Sequence, residues 1–149
     1  MLDLTKLRSD LERDEGVRAN RYQDTEGNWS VGIGHLMTAE DLVHYPDPLS
    51  QAQIDSLFTD DLGKTILWLN RNLPWWQQIP EPGSRAIANM AYNIRGRLLG
   101  FTKMLAALEA GDYETAASEC LNSIWAGQVK DRSLRIAALY RSCIIPAVS

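Results

Sequence analysis

Two carboxylates stand close together near the start of the chain, Glu15 and Asp24, in the stretch EGVRANRYQDTEGNWSVGIGHLMT (residues 15–38). A pair of carboxyl groups is what cleavage of a glycosidic bond requires. One is protonated and donates to the leaving oxygen, and the other is ionised and works from the far side of the sugar. The two must sit in different environments if their protonation states are to differ. Glu15 lies one step of four beyond Leu4, Leu7 and Leu11, the stripe of an amphipathic helix, so it closes an apolar face partly out of water. Asp24 precedes the turn-rich TEGN, a polar setting in which it stays ionised. In WSVGIGH, strict alternation puts Trp29, Val31 and Ile33 on one face of a strand and Ser30, Gly32 and Gly34 on the other. That second face is nearly bare. Glycines in a strand often mark the close approach of another group, and a flat sugar ring could lie there.

Other chemistries fail on the same residues. GIGHLM begins like a dinucleotide fingerprint, but its sixth position is Met37 and no strand-helix-strand unit surrounds it. DTEGN resembles the start of a calcium loop, yet Gly27 comes two positions early and His35 stands where a bidentate Glu belongs. His35 and His44 have no cysteine near them, so a zinc site is not expected. No phosphate-binding GxxxxGK[ST] and no GxSxG elbow is present.

The elements that must position these residues are mostly helical. Asp3 is placed to cap the first helix. RYQD and WSVGIGH form a hairpin around TEGN. Thr38 with Asp41, and Ser50 with Gln53, read as capping boxes, the first for a short helix ended by YPDP and the second for a long helix reaching about Asn72. The long helix carries Ile54, Leu57, Phe58, Leu62, Ile66 and Leu69 on one face, and Asp61 falls among them as an acid in need of a partner. After the loop LPWWQQIPEPGS, helical patterns cover roughly 84–95, 101–110 and 113–125, with Gly111-Asp112 as stop and cap, and a final helix starts near Asp131. The expected fold class is α+β, mostly helical, with one small antiparallel sheet near the N-terminus.

Length and charge narrow the function. A chain of 149 residues suits one domain with a sizeable core. A net charge of -4 argues against a nucleic-acid partner, which favours basic proteins. Cys120 and Cys143 read as buried thiols of a reducing compartment. No apolar run is long enough to insert stably in a membrane, and MLDLTKLRSDLERDEG lacks the apolar stretch of a secretory leader. The expectation is a protein made in a cytoplasm.

The segment DEGVRANRYQDTEGNWSVGIGHLMT resembles the active-site segment of the phage lysozymes (endolysins) of the T-even type, glycoside hydrolase family 24. The EG that closes the first helix, the basic and aromatic spacer, DTEG and S/T-x-G-x-GH carry the likeness. LFTDDL, NMAYNI, Gly100-Phe101 and SIWAGQVKDRSLRI follow in the family's order, so it extends over nearly the whole chain. The resemblance implies a single two-lobed domain over 1–149: a small lobe about 16–56, an inter-lobe helix about 50–72, and a helical lobe about 73–149 packed with the first helix.

Carried over position by position, Glu15 resembles the general acid, Asp24 the second carboxylate, and Ser30 a threonine that helps hold the attacking water. The family inverts the anomeric centre. His35 and Asp61 correspond to a structural ion pair. Arg132 matches an arginine that approaches the acid, and it is placed with Leu36, Tyr92, Asn93 and Gln128 among the substrate-binding positions. Trp125 matches a residue near the cleft wall but reads as core. Met104 and Glu119 depart from the small polar residues usual at their positions, and the acidic net charge departs from the family's basic character, which implies weaker capture of an anionic wall.

The implied activity is cleavage of the β-1,4 bond between N-acetylmuramic acid and N-acetylglucosamine in peptidoglycan, by a monomer, without metal or cofactor. The implied setting is host lysis, with storage in the cytoplasm and release to the periplasm through a holin-like partner. Two alternatives stay open: a secreted antibacterial effector of the same activity, and a wall-binding module without catalysis.

Overall fold

The computed structural model describes residues 1–145. Helix α1 (Leu4–Glu15) starts where the Asp3 carboxylate accepts from the Lys6 N–H at 3.0 Å, and stops where the Gly16 N–H donates to the Glu12 carbonyl. Leu7 and Leu11 are fully buried, whereas Leu4, in the first turn, stays 55% exposed. The apolar stripe therefore deepens toward Glu15.

Three antiparallel strands follow in the order β1 (Arg18–Gln23), β2 (Trp29–Gly32) and β3 (His35–Leu36), with Tyr22 opposite Ser30 and Ser30 opposite Leu36. This corrects the expected single strand over WSVGIGH. Gly32 and Gly34 adopt φ of +65° and +63°, which reverses the chain between β2 and β3. The alternation fails with it, since Val31, Gly32 and Ile33 are all buried.

Both capping boxes form, at α2 (Ala39–His44) and α3 (Gln51–Asn72). Helix α3 packs against β2, β3 and α4 (Glu81–Ile94), and α1 also packs on α4, so the first helix joins the helical part of the fold. Helix α4 begins three residues earlier than its apolar period suggests, because Pro82 is tolerated in a first turn. A 3-10 segment (Arg95–Gly100) leads to α5 (Thr102–Ala110), and Gly111 and Asp112 act as stop and cap before α6 (Tyr113–Leu121). The expected helix over 113–125 is two helices. The Ser123 hydroxyl donates to the Cys120 carbonyl at 2.7 Å and accepts from the Ala126 N–H at 3.1 Å, ending α6 and starting α7 (Ile124–Val129). Helix α8 (Asp131–Arg141) begins where expected.

The core centres on Trp76, Ile87, Met90, Leu98, Leu108, Ile136 and Tyr140, all fully buried or nearly so. Each side chain of this size contributes roughly 1.5–3 kcal/mol on burial. Cys120 and Cys143 are free and buried, and burial pushes the Cys120 thiol up to about 12. Among the described residues no helix is long and apolar enough to cross a membrane.

Candidate active site

Glu15 is the last residue of α1, and its side chain is only 13% exposed. Two features hold the carboxyl group. Arg132, from α8, donates from Nη1 to Oε1 at 2.6 Å. On the other side the backbone of Gly34 comes so close that a Cβ there would lie 2.4 Å from Oε2. Only glycine fits this position. The close approach read from the bare strand face is real, and the group that approaches is the acid itself.

Arg132 belongs to a buried network that sequence reasoning missed. It is 5% exposed and donates from Nε to the Asn89 side-chain oxygen at 2.9 Å and from Nη2 to the Asn89 carbonyl at 3.3 Å. Asn89 donates in turn to Asp14 at 2.8 Å, and Asp14, with no exposed side-chain surface, also accepts from Arg13 and Arg135. Burial opposes the charge on Asp14, but the bonds from Asn89, Arg13 and Arg135 outweigh it and hold the carboxyl below its ordinary range. One signal was visible in the sequence: Asn89 interrupts an apolar run, between Ala88 and Met90. Arg132, expected near the acid and among the substrate contacts, has its fork committed to Glu15 and Asn89, so it acts on the acid.

Glu15, His35, Leu36, Asp61, Tyr92 and Asn93 line one cleft of about 450 Å³. Tyr92 hydrogen-bonds through its hydroxyl to the Ile33 carbonyl in the turn between β2 and β3, and its ring packs on Phe58. Burial pushes its phenol well above the usual range. It therefore offers the cleft a ring and no free hydroxyl. Asn93 accepts from the Trp125 indole N–H at 2.9 Å; Trp125 is 5% exposed, as a core residue should be.

Neither Asp24 nor Ser30 is among the residues that line that cleft. Asp24 is exposed in the turn after β1, where one oxygen accepts from the backbone N–H groups of Asn28 and Glu26, both at 2.9 Å, and the other from the Asn28 side chain at 3.2 Å. The Asn28 N–H first, then that of Glu26, hold its carboxyl below the ordinary range, so it is ionised as its polar setting suggested. Ser30 occupies the central strand, in register between Tyr22 and Leu36. Gln128 lies elsewhere, in a second cavity of about 430 Å³ with Met104, Glu119 and Trp125. Met104 is 1% exposed and forms apolar wall there.

His35 and Asp61 do pair, Nδ1 to Oδ2 at 2.7 Å, and Asp41 is a second partner that the sequence reading missed, Nε2 to Oδ2 at 2.9 Å. Only the cationic ring can donate from both nitrogens. The Asp61 bond first, with Asp41 adding to it, raises the His35 pKa above its usual 6.5 against the opposing effect of burial. Asp41 is held low despite desolvation, by Thr38 and His35. The His35 contribution to stability is complete below about 6.5, its unfolded pKa, and is lost as pH rises through the higher folded one. The Asp41 contribution is present above its unfolded pKa of 3.8 and is lost as pH falls through the depressed folded one. A double-mutant cycle on His35 and Asp61 at pH 6 should give a coupling of roughly 1–3 kcal/mol that shrinks in alkaline buffer. Absence of coupling at both pH values would refute the pairing.

Comparison with known proteins bears on this geometry. The profile of the family described as phage lysozyme matches residues 12–139. The chain is 30% identical, over 87% of its length, to the pre-baseplate central spike protein Gp5 of Enterobacteria phage T4, and spans only 26% of that protein. It is 26% identical to probable T4-type lysozyme 2 of Dictyostelium discoideum over 93% of this chain and 95% of that one. An endolysin of Acyrthosiphon pisum secondary endosymbiont phage 1 is 26% identical over 73% of this chain and 70% of its own. The matched span holds Glu15 and Arg132 alike, together with the sheet and the long helix between them, and by that span this chain belongs to the phage lysozyme family.

Proposed function

We propose that this protein is a lysozyme that cleaves the β-1,4 bond between N-acetylmuramic acid and N-acetylglucosamine in peptidoglycan. The observation that carries the reading is the placement of Glu15: a carboxyl group at a helix end, largely out of water, lining a cleft and held by one buried arginine. Glu15 donates its proton to the glycosidic oxygen as the C–O bond breaks. Asp24, ionised in its turn, takes a proton from the water that attacks the anomeric carbon, and the Ser30 hydroxyl helps hold that water. Hydrolysis of purified peptidoglycan by the wild type beside Glu15→Gln tests the reading and separates an enzyme from a wall-binding module.

The single-displacement form of the reaction inverts the anomeric centre. It needs room for a water, with carboxyl groups roughly 6.5–9.5 Å apart when substrate is bound, against ~5–5.5 Å for a nucleophilic partner. The first product seen by NMR should be the α-anomer. A β-anomer at early times, or a trapped glycosyl adduct on Asp24, would overturn inversion. The setting we propose is host lysis by a monomer without cofactor, stored in the cytoplasm and let through to the wall by a holin-like partner.

A further inference from the structure

The protein is acidic overall, yet half of its lysines and arginines without an ion pair line two adjoining cavities. Arg8, Arg13, Arg21, Arg85, Arg132, Arg135 and Arg141 are all engaged in ion pairs. Of the eight lysines and arginines with no such partner among the described residues, Lys6, Arg18, Arg71 and Lys130 line neither of these cavities, whereas Lys64, Arg95, Arg97 and Lys103, all exposed, do. Lys64 and Arg95 line the cleft that holds Glu15, and Arg97 and Lys103 line the second cavity. The two cavities adjoin, since Ile94 lines both and the Asn93–Trp125 bond ties their walls.

The acids on the same walls do not cancel this charge. In the first cavity Glu15 is paired with Arg132 and Asp61 with His35, and in the second Glu119 faces two cations alone. Arg95 also holds a φ of +39° at the end of α4, a conformation that is strained for any residue but glycine. A glycine would relieve the strain and forfeit the charge.

We propose that Lys64, Arg95, Arg97 and Lys103 form an anion-binding rail along the two cavities, which captures the free carboxylates of the peptides borne on the wall glycan. This rests on the lysozyme reading and deepens it. Clefts lined by one sign of charge concentrate oppositely charged ligands even when the whole molecule carries the other sign. Carboxylates suit the rail because muramyl peptides hang from the very chain that would lie across Glu15, so they recur at the spacing of the glycan.

The test compares Lys64→Gln/Arg95→Gln and Arg97→Gln/Lys103→Gln with a control of equal charge change, Lys6→Gln/Arg71→Gln, whose residues line neither cavity. Each is assayed on purified peptidoglycan freed of phosphate polymers, on the same material with its carboxylates chemically amidated, and on wall that keeps its phosphate polymers. Each pair is also tested on the Glu15→Gln background for co-sedimentation with intact wall sacculi, a readout independent of turnover. We expect either rail pair to raise KM and weaken co-sedimentation about fivefold at ~0.01 M salt, and less than twofold at ~0.5 M. The control should move neither, and amidation should bring the wild type to the level of the variants. An equal loss in the control, a difference that survives amidation, or one seen only while phosphate polymers remain overturns the rail. A wild type that binds sacculi through these cations but never cleaves them keeps the rail and overturns the lysozyme reading.

Discussion

Glu15→Gln should abolish wall hydrolysis in a protein that folds as the wild type does. The amide is nearly the same size as the carboxyl group and its oxygen can still accept from Arg132 Nη1, which sits 2.6 Å from Oε1 in the wild type. It has no acidic proton to give the leaving oxygen. General acid catalysis is typically worth ~10²–10⁴ in rate, so the loss should be at least two orders of magnitude in kcat. The measurement is clearing of a peptidoglycan suspension, read beside circular dichroism and thermal unfolding of the same preparation. Near-normal clearing by a folded variant would remove Glu15 from the chemistry.

Removing the arginine behind the acid should cost both stability and rate. Arg132→Met keeps the aliphatic volume and deletes the guanidinium. Asn89 then loses the donor to its side-chain oxygen, and Asp14, whose side chain has no exposed surface, loses the charge 3.7 Å away while keeping Arg135 and Arg13. Breaking a buried pair from one side typically costs 3–5 kcal/mol, and the partners that remain to Asp14 put the expected loss near the lower end, about 3 kcal/mol. Freed from Nη1, Glu15 is no longer pinned against Gly34, and a displacement on the order of 1 Å can cost ~10² in rate. Arg132→Lys should recover part of the stability but not the rate, because an ammonium cannot reach Glu15 and Asn89 together as a planar fork does. Urea unfolding and kcat, measured on both variants, decide the matter. An unchanged unfolding midpoint in Arg132→Met would show that the network adds nothing to the fold.

Much of this molecule could be read along the chain. Local signals answer to local physics: Asp3, Thr38, Ser50 and Asp112 cap the helices they announce because a side-chain oxygen reaches a free N–H only two or three residues away. The stripe that buries Leu7 and Leu11 fixes which face of α1 Glu15 ends on, and Asp24 owes its ionised state to N–H groups within its own turn. Asp61 advertised its need for a partner by falling on an apolar face. The likeness of the motif pointed to the family that the matched span bears out.

What the sequence left undecided involves groups far apart in the chain. WSVGIGH reads as one strand by its alternation; its break depends on two glycines taking positive φ, with Tyr92 of α4 hydrogen-bonded to the carbonyl of Ile33 between them. Arg132 meets Glu15 across 117 positions and Asn89 meets Asp14 across 75, separations at which spacing carries no information. Asp41 announced itself as a cap and was silent about His35, since one carboxylate oxygen serves both the Thr38 N–H and the imidazole. Net charge is a sum over the chain and cannot show that four unpaired cations line two adjoining cavities. Periodicity determines which face of each element is buried; only packing decides which polar groups meet once those faces close, because buried charges must find partners wherever in the chain they lie.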